Sequence, residues 1–305
     1  MYQGFARTAP LARRRRRLLS LFAPAVLLAA PLPGGSVSSA GAVVTIGSNL
    51  ARVPNSAANY SPRPTFSNVS LASNRRASGG LSSPVNGTVV RWQIRVGDYT
   101  RVSNLRIIRP LGRGLFTGAG TSPSVTPPIH ATTSYGVQLL IQIGDYIGLD
   151  CCDLGVFEQG EFFVTGAGAV RNEWQPGLAD GAPGRAPLRT NPYEIALNAE
   201  INPTSTFTLG AGTRNKNKGT ATITANVPNP GELTVSGRGV KVANAAVTSK
   251  QIRAPGTVRL LIKAKGRKKR KLNSTGKVKV RPEITYIPSG GGLNTQSMKV
   301  RLFKR

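Results

Sequence analysis

The chain has 305 residues and a formal net charge of +29 at pH 7, with 35 glycines, 22 prolines, two cysteines and one histidine. This composition favours short strands and frequent turns over long helices. A single histidine excludes a zinc site built from a histidine cluster and leaves one imidazole for general-base chemistry. We therefore expect an all-β protein without enzymatic activity and without a cofactor.

The first 42 residues have the pattern of a secretory signal peptide. Arg13 to Arg17 precede an apolar run from Leu18 to Ala30, and Ala40-Gly-Ala42 is a small-x-small cleavage site. The apolar run has 13 residues, fewer than the ~20 that a transmembrane helix needs. We expect a secreted protein, either extracellular or associated with the cell wall, with no membrane span after the signal is removed.

Charge is distributed unevenly along the rest of the chain. Residues 43–205 carry 13 arginines, no lysine and 10 acidic residues, a formal charge of +3. Residues 206–305 carry 22 basic residues against two acids, Glu232 and Glu283, a formal charge of +20. Such a change in surface chemistry predicts two domains, 43–205 and 206–305, after the signal peptide 1–42.

The first predicted domain begins with a possible strand from Val43 to Ile46. Ser56 to Gly80 has the composition of a long surface loop. From Gly87 to Val96 the residues alternate, and we place Val90, Trp92 and Ile94 on the inner face. Further short strands follow, and Asn172 to Thr190 is predicted as a loop. Six to eight strands without helices predict a jelly-roll-like β-sandwich.

The second predicted domain has a clearer period of two. About seven strands in roughly 100 residues are typical of an immunoglobulin-like β-sandwich. Pro282 interrupts one run, which predicts a bulge or an edge strand at that point. The residues that we place on the inner faces are Ala221, Ile223, Ala225, Val227, Leu233, Val235, Val258, Leu260, Ile262, Val278 and Val280.

The stretch from Lys263 to Leu272 is the most basic part of the mature chain. In isolation it is typical of a nucleic-acid or nuclear-import patch. Alternating runs flank it on both sides, so we predict a charged loop between two strands. In an exported protein it would contact anionic wall polymers or polysaccharide rather than a specific nucleic acid. The predicted contact residues are Lys263, Lys265, Arg267, Lys268, Lys269, Arg270 and Lys271.

Two groups of motifs carry a family resemblance. Phe116-Thr-Gly118 and Ile143-Gly-Asp-Tyr-Ile-Gly-Leu149, with the run from Ser82 to Arg95, resemble the first module of exported actinobacterial proteins. The segment from Gly219 to Gly237, with Pro288-Ser-Gly-Gly291, is similar to a basic immunoglobulin-like repeat of the same group. The resemblance implies export and two β-sandwich modules, and it brings no activity and no site residue.

Cys151 and Cys152 are adjacent, and Trp174 lies in the predicted loop. Free thiols are disfavoured in an oxidising compartment, so the cysteines form a vicinal disulfide, pair with a second chain, or remain as two buried thiols. A rigid vicinal disulfide can shape a binding loop. With Trp174 as the best exposed aromatic candidate, these three residues form a predicted ligand site of a carbohydrate-binding module.

Acidic residues cluster around Asp145, Asp150 and Asp153. Hard cations prefer several oxygens from one loop, so these residues are weak calcium candidates, although the turn that Gly144-Asp145 predicts is the favoured explanation. We predict no metal site. Glu158 and Glu161 are a carboxylate pair that a hydrolase could use, but proximity in sequence is weak support for the required geometry.

Three functions therefore remain open at this point. The first is a structural or adhesive envelope protein whose basic domain contacts anionic wall polymers or polysaccharide. The second is a carbohydrate-binding module that uses the first domain. The third is a hydrolase with a carboxylate pair, which the composition does not favour.

Overall fold

The computed structural model describes residues 43–58, 62–152, 160–166, 168–242 and 248–305. Regular structure in these residues is almost entirely β, in antiparallel sheets, so the predicted all-β class is confirmed. The finer jelly-roll and immunoglobulin-like topologies stay predictions. None of the helices in this part of the chain has both the length and the hydropathy required to cross a membrane. The predicted signal, residues 1–42, lies outside the described residues.

The first thirteen strands form three sheets and are called here the first sheet group. Their orders are β1-β13-β4-β7, β11-β10-β3-β8-β5-β6 and β12-β9-β2. The strands are β1 Val44–Gly47, β2 Ser56–Ala58, β3 Thr65–Leu71, β4 Gly87–Arg95, β5 Asn104–Gly112, β6 Leu115–Thr121, β7 Thr132–Ile141, β8 Tyr146–Asp150, β9 Gly160–Thr165, β10 Ala169–Trp174, β11 Arg189–Asn191, β12 Tyr193–Ile195 and β13 Leu197–Pro203. A short 3-10 helix spans Ser73–Arg75.

The remaining strands and helix α1, Arg267–Thr275, form the second sheet group. Its sheets have the orders β14-β16-β20-β18, with β15 also paired to β16, then β19-β17-β22-β23, and β21-β24. The strands are β14 Thr208–Gly210, β15 Arg214–Asn215, β16 Thr220–Val227, β17 Gly231–Ser236, β18 Val240–Val242, β19 Thr248–Ile252, β20 Gly256–Ala264, β21 Lys277–Val280, β22 Glu283–Pro288, β23 Asn294–Ser297 and β24 Val300–Phe303.

Each sheet group has its own large apolar core. The core of the first group runs from Ile46 to Ile201, and that of the second runs from Phe207 to Leu302. All eleven inward residues predicted for the second group are buried, from Ala221 in β16 to Val280 in β21. Period-two alternation identified them because successive side chains of a strand point to opposite faces.

In β4 the predicted inner face is wrong at one position. Trp92 and Ile94 are buried, but Val89 is buried in place of the predicted Val90. The pairing of β4 shifts register between Val89 and Arg91 against both of its neighbouring strands. A β-bulge adds one unpaired residue, so the alternation changes phase at Val90.

The predicted surface loop from Ser56 to Gly80 contains a buried strand, β3, within the six-stranded sheet. Phe66 is fully buried in it, and Asn68 is 7% exposed. The Asn68 amide donates to the Ile195 carbonyl at 2.9 Å and accepts from the Ile195 N–H at 2.8 Å. These two bonds satisfy the polar side chain, which is why a sequence rich in serine and asparagine can form a core strand.

Pro282 marks a change of sheet, and the strand that ends before it, β21, lies at the edge of a two-stranded sheet, in agreement with the predicted edge strand. Before it, β21 pairs with β24; after it, β22 lies between β17 and β23. Proline cannot donate a ladder hydrogen bond, so it is well suited to the short connection between two sheets.

Buried hydrogen bonds around Asn229 connect the two sheet groups. The Asn86 N–H donates to Asn229 Oδ1 at 2.6 Å, and Asn229 Nδ2 donates to the carbonyls of Asn86 and Thr204, each at 2.9 Å. Tyr286 donates its hydroxyl to the Asn229 carbonyl at 2.8 Å. Burial raises the pKa of Tyr286 to about 12, although this hydrogen bond opposes the rise. The position of the second sheet group is thus held by satisfied polar contacts.

Candidate anionic-ligand surface around helix α1

The basic stretch that we predicted as a loop is a helix. Strand β20 ends at Ala264, and the nine residues from Arg267 to Thr275 form α1. Gly276 ends the helix in the left-handed conformation at φ +68°, and its N–H donates to the Leu272 carbonyl at 2.9 Å. Lysine and arginine are good helix formers because their unbranched side chains lose little rotamer freedom. Two flanking glycines and one buried leucine then suffice to define this short helix.

The charges of α1 are unfavourable for a helix in isolation. The residues from Arg267 to Lys271 are all basic and exposed, and the first turn contains no acidic residue. Backbone N–H groups make a helix N-terminus electropositive, so cations there are repelled. Arg267 and Lys271 are also four positions apart, a spacing at which like charges destabilise a helix. Charge repulsion within α1 therefore lowers the stability of the free protein.

Two cross-strand pairs beside α1 repeat this pattern. Lys241 in β18 lies directly opposite Lys263 in β20, and Lys279 in β21 lies directly opposite Arg301 in β24. Opposed side chains of a sheet have Cβ atoms about 5 Å apart, and like charges in such pairs are destabilising. The two pairs lie on different sheets, yet both line clefts that α1 also lines.

Four basic clefts surround α1 and the adjoining strands, with volumes of about 840, 800, 590 and 260 Å³. Their lining contains no acidic residue. We call their basic residues the basic track. It comprises Arg214, Lys216, Lys218, Arg238, Lys241, Lys263, Lys265, Arg267, Lys268, Lys269, Lys271, Lys277, Lys279, Arg281, Lys299, Arg301 and Lys304. Twelve of the thirteen lysines of the chain belong to it, and Lys250 is the exception.

Helix α1 separates the track into two flanks. Lys269 shares the smallest cleft with Lys241 and Lys263, whereas Lys268 and Lys271 line the cleft on the β21 side. At 3.6 residues per turn, positions 268 and 271 lie on one side of the buried Leu272 and position 269 on the other. Arg270 points away from Leu272, and it lines none of the four clefts.

Several arginines of the first sheet group are used differently, because they pair with the protein's own carboxylates. Arg109 donates from Nε and Nη2 to the two oxygens of Asp145 at 3.0 and 2.8 Å. Arg106 pairs with Asp150 and Asp180, and Arg75 with Glu194. The hydrogen bonds to Asp145 raise the pKa of Arg109; for Arg106, burial lowers the pKa but the bonds to Asp150 and Asp180 outweigh it.

In the described residues of the second sheet group, no lysine or arginine lies within 4.0 Å of an acidic side chain. Its two acids, Glu232 in β17 and Glu283 in β22, belong to the four-stranded sheet and line none of the clefts. Within the part of the chain that the structure describes, no acidic side chain therefore neutralises the positive charge of the track.

Six of the seven predicted contact residues belong to the track, and Arg270 does not. The prediction missed the track residues distant in sequence, including Lys241, Lys279, Lys299 and Arg301. Two sequence signals point to them: the confinement of every lysine to positions after 205, and the alternation of basic and apolar residues in Lys277-Val-Lys-Val-Arg281.

The predicted exposure of Trp174 is wrong. Trp174 is the last residue of β10, not part of a loop, and it is 1% exposed. Its indole Nε1–H donates to the Arg185 carbonyl at 3.3 Å, and the Phe116 ring packs edge-on against it at 5.3 Å. A ring packed in this way offers no face for a sugar to stack on.

Cys151 and Cys152 are bonded to each other in the structure, which is the vicinal alternative. Both are fully buried and belong to the core of the first sheet group, directly after β8. Cys152 has a φ of +69°. These residues therefore contribute to the core and not to an exposed loop surface.

The two calcium candidates that the structure describes, Asp145 and Asp150, each bond to a different arginine. Asp145 pairs with Arg109 and accepts from the Gln142 N–H at 2.9 Å. Asp150 accepts from Thr65 Oγ1 at 2.6 Å and pairs with Arg106. Asp153 lies outside the described residues, as does Glu158 of the carboxylate pair.

Comparison with known proteins adds no relative. No family model, no curated protein and no solved structure matches this chain. The resemblance to exported actinobacterial proteins stays a prediction.

Proposed function

We propose that the protein is an exported, non-enzymatic structural or adhesive component of a cell envelope, and that its second sheet group binds an anionic wall polymer or polysaccharide through the basic track. The observation that carries this proposal is the unneutralised charge of the track. Seventeen basic residues line four clefts, which adjoin in two pairs, with no acid among them. A protein field of this kind concentrates anionic ligands at its surface.

The destabilisation that the unpaired charges of the track cause in the free protein supports a binding role. Repulsion within α1 and across two strand pairs destabilises the free protein, whereas paired arginines in the first sheet group show that the same chain can neutralise its charges. Local violations of favourable electrostatics are expected where function requires them. A bound polyanion would relieve the repulsion.

Export of the chain is the second element of the proposal, supported by the charged, apolar and small-residue regions of positions 1–42. An envelope is rich in fixed anionic polymers, so a +20 segment would be retained there by many weak contacts. The carbohydrate-binding alternative is less well supported, because Trp174 and both cysteines are buried.

A charge-removal experiment tests the proposal. The triple variant Lys268→Gln, Lys269→Gln, Lys271→Gln removes three exposed charges from both flanks of α1 and leaves Leu272 in place. We expect weaker retention on isolated cell walls. The slope of log affinity against log salt concentration should become shallower by about two to three, at roughly 0.7–0.9 per lost contact.

The matched control is Lys250→Gln, Arg253→Gln, Arg259→Gln. These three exposed residues have the same total charge and lie outside the four clefts. The control should retain nearly the parental affinity. Equal losses in both variants would mean that net charge, rather than the track, causes retention, and unchanged retention of both would refute the proposal.

A further inference from the structure

The shape of the track restricts the kind of anion that can occupy it. Each of the two largest clefts shares lining residues with a smaller cleft. The 840 and 260 Å³ clefts share Lys218 and Lys263, and the 800 and 590 Å³ clefts share Lys268 and Lys279. The four clefts therefore form two grooves, one along each flank of α1. A small anion would occupy one position in a groove, whereas a linear polymer can extend along the whole groove.

The side chains of the track are those of a phosphate binder more than of a carboxylate binder. Twelve of its seventeen basic residues are lysines. An ammonium group is a compact point charge with three rotatable donors that can meet phosphate oxygens from several directions, whereas the guanidinium fork is planar and binds either a carboxylate or a phosphate bidentately. This chain uses that fork where it binds its own carboxylates, as Arg109 does with Asp145.

The opposed pairs fit the same chemistry. Lys241 and Lys263 approach a cleft from two strands, and Lys269 approaches it from α1. The oxygens of a phosphate project tetrahedrally, so one group can accept from ammonium groups that arrive from different directions. A carboxylate presents two oxygens in one plane and is less suited to three such donors.

The track also lacks the features of a single-stranded nucleic-acid site. Stacking platforms for bases need exposed aromatic rings. In the described residues of the second sheet group, the large exposed apolar side chains are Ile287 and Leu293, and neither is aromatic. Phe303 is half-buried, and the Arg214 guanidinium lies 5.5 Å from the centre of its ring.

We infer that the occupant of the basic track is a linear polymer with a phosphate in each backbone unit and no stacking bases, which runs along the flanks of α1. This inference rests on the proposed function and narrows its ligand from anionic polymers in general to phosphate-backbone polymers.

The experiment compares polymers of different chemistry on the full chain. Calorimetric titrations at one ionic strength use linear inorganic polyphosphate, orthophosphate, polygalacturonate and duplex DNA, with the polymers matched in total charge. We expect polyphosphate to bind more tightly than polygalacturonate by about tenfold, and orthophosphate to compete weakly because it fills one point of the track. Duplex DNA should bind no more tightly than polyphosphate of matched charge.

A charge-preserving variant tests the role of lysine. Lys268→Arg, Lys269→Arg, Lys271→Arg keeps the total charge and the helix propensity but introduces planar forks. The preference for polyphosphate over polygalacturonate should narrow in this variant. An unchanged ratio would overturn the assignment of phosphate selectivity to lysine chemistry.

The outcomes separate the two proposals. Equal affinity for polyphosphate and polygalacturonate overturns the phosphate inference but leaves anionic-polymer binding intact. Tighter binding of DNA than of charge-matched polyphosphate identifies a nucleic acid as the occupant and also overturns the inference. Binding of none of these polymers refutes both the inference and the proposed function.

Discussion

At the residue scale, the protein uses its basic side chains in two ways. Arginines of the first sheet group, such as Arg109 and Arg106, satisfy buried or half-buried carboxylates and so contribute to the fold. Basic residues of the second group face each other without a carboxylate between them, as Lys279 and Arg301 do. The first use favours stability, and the second leaves charge available to a ligand.

Removing one member of an opposed pair should therefore stabilise the free protein. In Arg301→Thr, an exposed strand position receives a good β-former, and the repulsion of Lys279 is removed. We expect the free energy of unfolding to rise by about 0.5 kcal/mol in low salt, as measured by denaturant titration, while affinity for the polyanion falls. The gain should shrink in high salt, because screening already weakens the repulsion.

Lys250→Thr is the control for this prediction. Lys250 is also an exposed basic residue of a strand, but its cross-strand neighbour is Leu233, so no like charge opposes it. A stabilisation of equal size in the control would show that β-propensity alone explains the effect.

At the element scale, α1 is held by very few contacts. Leu272 is 4% exposed and is the one buried residue of the helix. An isolated helix of this length is marginal in water, so packing must maintain it. The positions of Lys268, Lys269 and Lys271 on either flank consequently depend on a single apolar side chain.

Leu272→Ala should both destabilise the protein and weaken polymer binding. Truncation of a buried leucine costs about 2–3 kcal/mol, which denaturant unfolding would detect. Affinity for polyphosphate, measured where the variant is fully folded, should fall even though no charge is lost. Ser274→Ala changes an exposed position of the same helix and should alter the free energy of unfolding by about 0.5 kcal/mol or less. Parental affinity in Leu272→Ala would mean that the track does not require an ordered α1.

At the scale of the whole molecule, the contacts around Asn229 join two sheet groups with separate cores. Asn229 is fully buried, and its side chain and carbonyl bond to Asn86, Thr204 and Tyr286. Buried polar networks of this kind are favourable when every member is satisfied, and costly to break. This network fixes where the second sheet group emerges from the first.

Tyr286 makes the network sensitive to high pH. The pKa of Tyr286 in the folded protein is about 12, above its ordinary value of 10.0, so the folded state retains a proton that the unfolded state loses. The contribution to stability is thus fully present below pH ~10 and is lost as pH rises from ~10 towards ~12. The loss amounts to roughly 3 kcal/mol, given about 1.4 kcal/mol for each pKa unit.

A comparison with Tyr286→Phe isolates this effect. The variant loses the hydroxyl's hydrogen bond and should be less stable by about 1 kcal/mol near pH 8, but it has no proton to lose at this position. Unfolding free energies measured between pH 8 and pH ~12 should fall more steeply in the parent than in the variant, because only the parent has the Tyr286 hydroxyl to deprotonate. The lysines titrate in both proteins, so their effect cancels in the comparison. Parallel curves would contradict the assigned role of Tyr286.

Local patterns in the sequence were sufficient to predict the all-β class and the inner faces of the second sheet group. The alternation from Ala221 to Val227 reports which side chains face inward, because the period of a strand depends on the backbone alone. Net charge and its concentration after residue 205 are likewise properties of the composition. They were enough to predict a basic surface and most of the residues of α1 that line it.

Other features depend on partners distant in the chain. Asn68 can be buried because Ile195 satisfies its amide, the bulge at Val90 arises from pairing with β7 and β13, and Trp174 is covered by Phe116. No local period contains that information. In the same way, the conformation of the basic run and the extent of the track depend on tertiary structure. Helix α1 is held because Leu272 packs into the core. The strands β18, β21 and β24 then bring Lys241, Lys279 and Arg301 alongside it.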